Sequence, residues 1–302
     1  IPRNASKERR FKYMRKTVNI GGKIIGENQP HYIIAEIGIN HNGSLETAKK
    51  IIDNAVNCGV DAVKFQKRTV EVVYTPEELA RPRENVFGLT NGDLKRGLEF
   101  GLEEYTEIDN YCKKKGTHWM ASCWDEESVD FIEQFNPPAY KIASASLTDE
   151  NLLRHHRKYG RPIIISTGMS SMEEIEHAVD VLGSDNLVIC HSTSTYPAKN
   201  EELNLKMIKT LLDKFPVPIG YSGHEVGPYP SLVAGAFGAQ VIERHITIDR
   251  ALWGSDQAAS LEPRAFESLV KYLRCLESIL GDGVKKVYDS EIPIREKLRR
   301  EI

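Results

Sequence analysis

Eight short apolar runs, nearly all ending in polar or charged residues and most followed by a stretch with helical spacing, constrain this chain more than any other feature. They are YIIAEIGINH, AVKFQK, WMASC, YKIASAS, IIISTG, LVICHSTS, PIGYSGHE and VIERHI. Strands are predicted at 32–38 and near 61–66, 117–122, 138–144, 162–167, 186–191, 217–222 and 240–246. Helical stretches are predicted at 44–59, 102–115, 125–135, 149–158, 172–182, 203–214, 229–238 and 263–280. In SLETAKKIIDNAVNCG the apolar residues recur at helical spacing, with Ser44 placed to cap the start and Gly59 the end. Strict strand and helix alternation makes this an α/β chain with a parallel sheet, and eight repeats favour closure into a (β/α)8 TIM barrel over an open sheet. No GxGxxG fingerprint argues for a dinucleotide fold.

The pattern divides the chain into a basic arm over residues 1–17 and a single barrel domain over 18–302. That domain opens with a short N-terminal β-hairpin, TVNIGGKII, turning at Gly21-Gly22 and expected to plug the bottom of the barrel. Lys and Arg total 40 against 43 Asp and Glu, so the net charge of -3 offers no general attraction to nucleic acid or an anionic membrane. A small-molecule partner is expected. Five unpaired-looking cysteines, no membrane-length apolar run and an opening segment without a signal-peptide core set the expectation of a soluble cytoplasmic protein with free thiols.

A parallel strand buried on both faces is normally apolar throughout, so Glu36, Lys64, Lys141, His191, His224, Glu243 and His245 need a reason. In a barrel the C-terminal strand ends form the active-site face, where these residues fall. His224 and His245 end consecutive strands and can converge on a divalent metal ion, with Glu36 and Asp256 available to complete or orient the ligands. Lys64 and Lys141 imply an anionic substrate, an internal ion pair with Glu36 or Glu243, or Schiff-base chemistry. Hydroxyls at Ser122, Ser144, Ser166, Thr167, Thr193 and Ser222 suit phosphate or carboxylate oxygens.

IIAEIGINHNG, DAVKFQK, AYKIAS, PIIISTGM, STSTYP, IGYSGHE, ERHIT and GSDQAASLEP together resemble the sialic acid synthase (N-acylneuraminate synthase) family over about residues 18–300. The resemblance implies a homodimeric barrel enzyme that condenses phosphoenolpyruvate with an N-acylated amino sugar, with the help of Mn2+ or Mg2+. It assigns the metal to His224 and His245, and phosphoenolpyruvate to Lys64, Lys141 and the hydroxyls of Ser144, Ser166 and Ser222. It further matches the pocket to Gln66 and Tyr196, the glutamate after the first strand to Glu36 and the acceptor to Asp256; Glu36, the one carboxylate expected beside both metal and phosphoenolpyruvate, is the candidate to manage the reacting water. Ser122 joins the substrate-binding set from its strand position. Family members usually continue into a small antifreeze-protein-like domain, so the expectation here is the barrel domain alone. Ser146, Ser194-Thr195 and Cys123-Trp124 depart from the bacterial pattern. LKRGLEF and GSDQAASLEP resemble the animal branch, whose acceptors carry a 6-phosphate, which makes Arg81, Arg83, Lys95 and Arg96 candidates to grip it. A related ulosonic acid synthase, a Schiff-base aldolase and a non-catalytic sugar-binding relative are the alternatives.

Overall fold

The computed structural model describes residues 15–300; residues 1–14, most of the basic arm, lie outside the described residues. The chain begins with the expected hairpin, β1 (Val18–Ile20) and β2 (Lys23–Ile25), paired antiparallel about Gly21 and Gly22, both at positive φ. Eight parallel strands follow: β3 (Tyr32–Gly38), β4 (Ala62–Lys67), β7 (His118–Cys123), β8 (Tyr140–Ile142), β9 (Ile163–Ser166), β10 (Leu187–Ser192), β11 (Ile219–Gly223) and β12 (Val241–His245). They close in sequence order, β12 pairing with β3, into the predicted (β/α)8 barrel.

Between β4 and β7, read from sequence only as a long loop, the structure inserts two short helices, a hairpin β5 (Pro82–Asn85) with β6 (Gly88–Thr90), and the helix Asn91–Leu98. PRENVFGLT lacks strict alternation, so its strands carried no period-two signal. The hairpin is held by local groups instead: Asn85 donates to Arg83 and Thr90 carbonyls, and the Thr90 and Asp93 side chains cap the next helix.

Alternation along each strand separates two layers. Ile33, Ala35, Val63, Phe65, Ile189 and Ile242 point outward into the core beneath the helices, while Ile34, Ala62, Met120, Ile164, Val188 and Val241 fill the barrel floor with Val18, Ile20 and Ile25 from the hairpin. The hairpin is therefore the bottom plug, each fully buried aliphatic side chain contributing roughly 1.5–3 kcal/mol. Helix α1 (Leu45–Cys58) starts with the Thr47 N–H donating to Ser44 Oγ and ends at Gly59 in the left-handed conformation, as its sequence predicts. All five cysteines are free thiols. No helix among the described residues is long and apolar enough to cross a membrane.

Candidate active site

One step further along the same inward-facing positions, the strands change chemistry. Parallel register sets Ser222 opposite Glu243, His245 opposite Glu36, Glu36 opposite Lys64 and Ser122 opposite Lys141. The strand spacing of about 4.8 Å then brings these side chains into contact. Glu36, Lys64, Gln66, Ser122, Lys141, Ser144, Ser166, Tyr196, Ser222, His224 and His245 all line one cavity of about 200 Å³ at the C-terminal mouth. Asp256 stands outside that lining, its Oδ2 3.8 Å from His245 Nδ1.

Charges dominate the cavity. Lys64 Nζ lies 2.6 Å from Glu36 Oε2 and 3.7 Å from Glu243 Oε1, and Lys141 Nζ lies 3.8 Å from the same Glu243 oxygen. Lys64 also donates to Ser122 Oγ at 2.8 Å and Lys141 to Ser166 Oγ at 2.7 Å. Gln66 Nε2 donates to Glu36 Oε1 at 3.0 Å, and Ser222 Oγ to Glu243 Oε1 at 3.0 Å. The internal ion pair held open by the sequence is thus part of the site.

Burial opposes every one of these charges, and the pairing decides which survive. Burial raises the Glu36 carboxyl further than Lys64 can pull it down. Burial would also raise Glu243, but Lys141 and Lys64 flank it and hold it low. The two carboxylates titrate as a unit in which a proton goes first to Glu36. For Lys64, Glu243 and Glu36 outweigh burial and keep the ammonium charged, whereas burial wins at Lys141 and lowers it. Counting two ammoniums against two carboxylates, the cluster is near neutrality and has little charge to spare for an anion.

The two imidazoles stand beside this cluster with ring centroids 5.4 Å apart, and Tyr196 packs 4.2 Å from His224. Burial, joined at His224 by the neighbouring His245, lowers both to about 4, so both are neutral at physiological pH. His224 Nδ1 bonds the Thr193 carbonyl at 2.8 Å, which assigns the proton to Nδ1 and leaves Nε2 a free lone pair; His245 Nδ1 is buried without a hydrogen-bond partner. Two neutral imidazoles with open lone pairs, His224 oriented by its bond to Thr193, fit a divalent cation. Among the described residues no group of three or more His, Cys, Asp or Glu side chains is assembled as a ready-made ligand cage, which leaves further coordination positions to water or substrate oxygens.

Two charged or aromatic residues of the lining were not in the assigned set. Glu243 sits between both lysines, and its appearance in VIERHI as a charge inside a buried strand was signal enough to find it. Trp124 also lines the cavity, with the Arg68 guanidinium 4.3 Å from its ring and anchored by Glu99; the sequence marked it only as part of a departure from the bacterial pattern. Ser144 is partly committed, its Oγ accepting from the Gly168 N–H at 2.9 Å, and His191 points out of the barrel to the Leu203 carbonyl. Of the four loop cations, Arg96 is paired with Glu71, Arg81 is exposed, and Arg83 and Lys95 line a separate cavity.

Comparison with known proteins decides the family. The NeuB family profile matches residues 51–285. The chain belongs to the NeuB family. It is 40% identical to human N-acetylneuraminate-9-phosphate synthase over 93% of this chain and 80% of that protein. It is 38% identical to the N,N'-diacetyllegionaminic acid synthase of Legionella pneumophila over 93% of this chain and 82% of that one. The crystal structure of the sialic acid synthetase of Leptospira borgpetersenii, in complex with citrate, superimposes with a TM-score of 0.83 at 32% identity, covering 96% of this chain and all of that one. This NeuB-family chain is a sialic acid synthase-type enzyme built on a TIM barrel.

Proposed function

We propose that the cavity joins phosphoenolpyruvate to the open-chain aldehyde of an N-acylhexosamine, N-acetylmannosamine or its 6-phosphate, giving a nine-carbon 2-keto sugar acid and phosphate. The observation that carries this is the clustering of Lys64, Lys141 and three serine hydroxyls, Ser122, Ser166 and Ser222, beside two neutral imidazoles in one cavity of a NeuB-family chain. The lysines and hydroxyls suit the carboxylate and phosphate of phosphoenolpyruvate. Because Glu36 and Glu243 already balance the lysines, a multiply charged anion needs further positive charge, which supports a cation on His224 and His245. Mn2+ or Mg2+ held there would polarise the acceptor's carbonyl oxygen.

In this scheme C3 of phosphoenolpyruvate bonds to the aldehyde carbon, whose oxygen takes up a proton and becomes a hydroxyl. Water then adds at C2 and the C2–O bond to phosphate breaks, leaving the 2-keto acid. Glu36, deprotonated against Lys64, accepts the water's proton, and its raised carboxyl matches that task near neutrality. Lys64 and Lys141 offset charge on the departing phosphate. Gln66 orients Glu36, and Asp256 and Tyr196 face the acceptor at the rim.

The test is phosphate release from phosphoenolpyruvate, with Mn2+ and after chelation, against N-acetylmannosamine, its 6-phosphate, mannose 6-phosphate and arabinose 5-phosphate. Release with an N-acylhexosamine that stops on chelation, and loss of Mn2+ binding in His224→Ala, are expected. Turnover only with a sugar lacking the N-acyl group would replace the acceptor, and full activity after chelation would remove the metal. The lowered Lys141 amine favours one second reading, Schiff-base chemistry; borohydride trapping of pyruvate on the chain without metal would establish it.

A further inference from the structure

His245 ends β12 and is held there by strand pairing, opposite Glu36 of β3. His224 has no such support, because β11 stops one residue earlier at Gly223. What joins the two is the residue beside each: Arg244 precedes His245, and Glu225 follows His224. Side chains alternate along β12, so His245 faces the cavity while Arg244 faces away from it, toward the helix Tyr229–Ala236. There the Arg244 guanidinium and the Glu225 carboxylate are completely buried and paired at 2.7 Å.

This pair is also a clamp. The same Arg244 Nη1 donates to the Gly227 carbonyl at 2.8 Å and to Ser231 Oγ at 2.9 Å, and Nη2 donates to the Glu225 carbonyl. Glu225 in turn accepts from the Tyr221 hydroxyl at 2.8 Å and from Ser231 Oγ at 3.0 Å. One guanidinium thus ties the irregular segment 224–228 to the strand that carries His245, and the Ala198 N–H steadies that segment further by donating to the His224 carbonyl at 3.0 Å. Gly223 makes the room: a Cβ there would lie 2.5 Å from Glu225 Oε2 and 3.1 Å from Arg244 Cδ.

Stability alone does not account for a completely buried ion pair, since well-packed apolar side chains of similar volume serve about as well and avoid the desolvation. Geometry does. Two ligands on separate segments have to be placed within about 0.5 Å to share one cation. Thr193 orients the His224 ring, whereas Arg244 holds the backbone that carries it.

We propose that Arg244, acting through Glu225, is a positioning residue that sets the His224 and His245 imidazoles at their 5.4 Å separation for a shared divalent cation. The assignment rests on the metal proposed above. Neither Arg244 nor Glu225 lines the reaction cavity, so their effect reaches the cation only through the two histidines.

Calorimetric Mn2+ titration of the full chain tests it in Arg244→Lys and in a double variant, Arg244→Met with Glu225→Gln, alongside melting temperature and phosphoenolpyruvate affinity in chelator. Lysine keeps the charge without the fork, and the double variant removes both charges, so neither leaves a buried carboxylate unpaired. Both are expected to melt within about 4 °C of the parent. Both should bind phosphoenolpyruvate within about twofold of the parent and Mn2+ about 10- to 100-fold more weakly. Parental Mn2+ affinity in either folded variant overturns the proposal. So does an equal loss of affinity for both ligands, which would make the pair a support of the whole mouth. If the parent itself binds no Mn2+, the metal reading fails separately, and crystal structures of the parent and Arg244→Lys decide the clamp. An imidazole separation changed by more than about 0.5 Å upholds it, and an unchanged one overturns it.

Discussion

The floor and the mouth of this barrel are built from the same eight strands and differ by one inward-facing position. Ile34, Ala62 and Val241 belong to the floor; Glu36, Lys64 and Glu243, two residues later on the same strands, belong to the mouth. Backbone pairing is continuous across that boundary, so strand geometry does not distinguish the two ends. Side chains do. The floor gains stability by removing apolar surface from water, while the mouth holds four buried charged groups whose mutual attraction has to offset their own desolvation. Stability and chemistry are thus assigned to opposite ends of one layered interior.

Substituting at the mouth is expected to show the largest effect and to spare the fold. Lys141→Met combined with Glu243→Gln removes an ammonium that burial already disfavours together with its carboxylate partner, and leaves Lys64 paired with Glu36. Turnover should fall by about 1,000-fold or more, while the free energy of unfolding stays within ~1 kcal/mol of the parent or rises. Kinetics and urea unfolding on the same preparation check both halves. A variant that loses stability and activity together would erase the division between the two ends.

The converse belongs to the floor. Ile20 is completely buried in the hairpin plug, and Ile20→Ala should lower stability by ~4 kcal/mol through lost burial and a cavity. At a temperature where the variant remains folded, kcat and both KM values should match the parent. A changed KM for phosphoenolpyruvate would mean that packing below sets the ion-pair geometry above.

Acid separates the ends from the helical shell. His156, on the helix Glu150–Lys158, is packed edge-on to Tyr140 with Nδ1 bonded to the Leu152 carbonyl; burial lowers it to about 4, with His155 adding to the effect and Asp149 opposing it. A group whose folded pKa lies below its unfolded value stabilises the fold above the unfolded value and loses that contribution as pH falls. Between about pH 6.5 and 4 this single histidine should remove up to ~3 kcal/mol. Raised Glu36 has the opposite sign, since protonating it favours the folded state. Melting of His156→Phe across that range should show a visibly shallower decline, and an unaltered slope would assign acid sensitivity elsewhere.

Most of the mouth was legible because a charge inside a buried parallel strand is conspicuous. Glu36, Lys64, Lys141 and His245 all declared themselves in this way, and strand order alone made neighbours of His224 and His245. What the pattern could not convey was partnership. Pairing of Lys64 with Glu36, and of both lysines with Glu243, depends on register and rotamer, which no local spacing encodes. The β5–β6 hairpin stayed hidden for another reason: capping and side-chain-to-backbone bonds hold it rather than an alternating apolar face. The separate cavity it walls was therefore unreadable, although its cations Arg83 and Lys95 were visible.

Ser44 marks the limit of the comparison, because it lies on the mouth side of the barrel and yet belongs with stability. It follows the β3 loop and its Oγ accepts the Thr47 N–H at 3.2 Å, satisfying one of the donors left free at the start of α1. Position alone would group it with the site residues, since helices begin at the same end at which strands finish. Its hydrogen bond is spent on the helix, and it lines neither cavity. Ser44→Ala should therefore cost ~1 kcal/mol of stability and about 2 °C in melting temperature, with kcat/KM for either substrate unchanged. Glycine at the same position should cost only a few tenths of that energy, because it also tolerates the extended N-cap backbone. If Ser44→Ala instead slows turnover at full stability, the loop after β3 takes part in the chemistry, and the mouth extends beyond the strand ends that define it here.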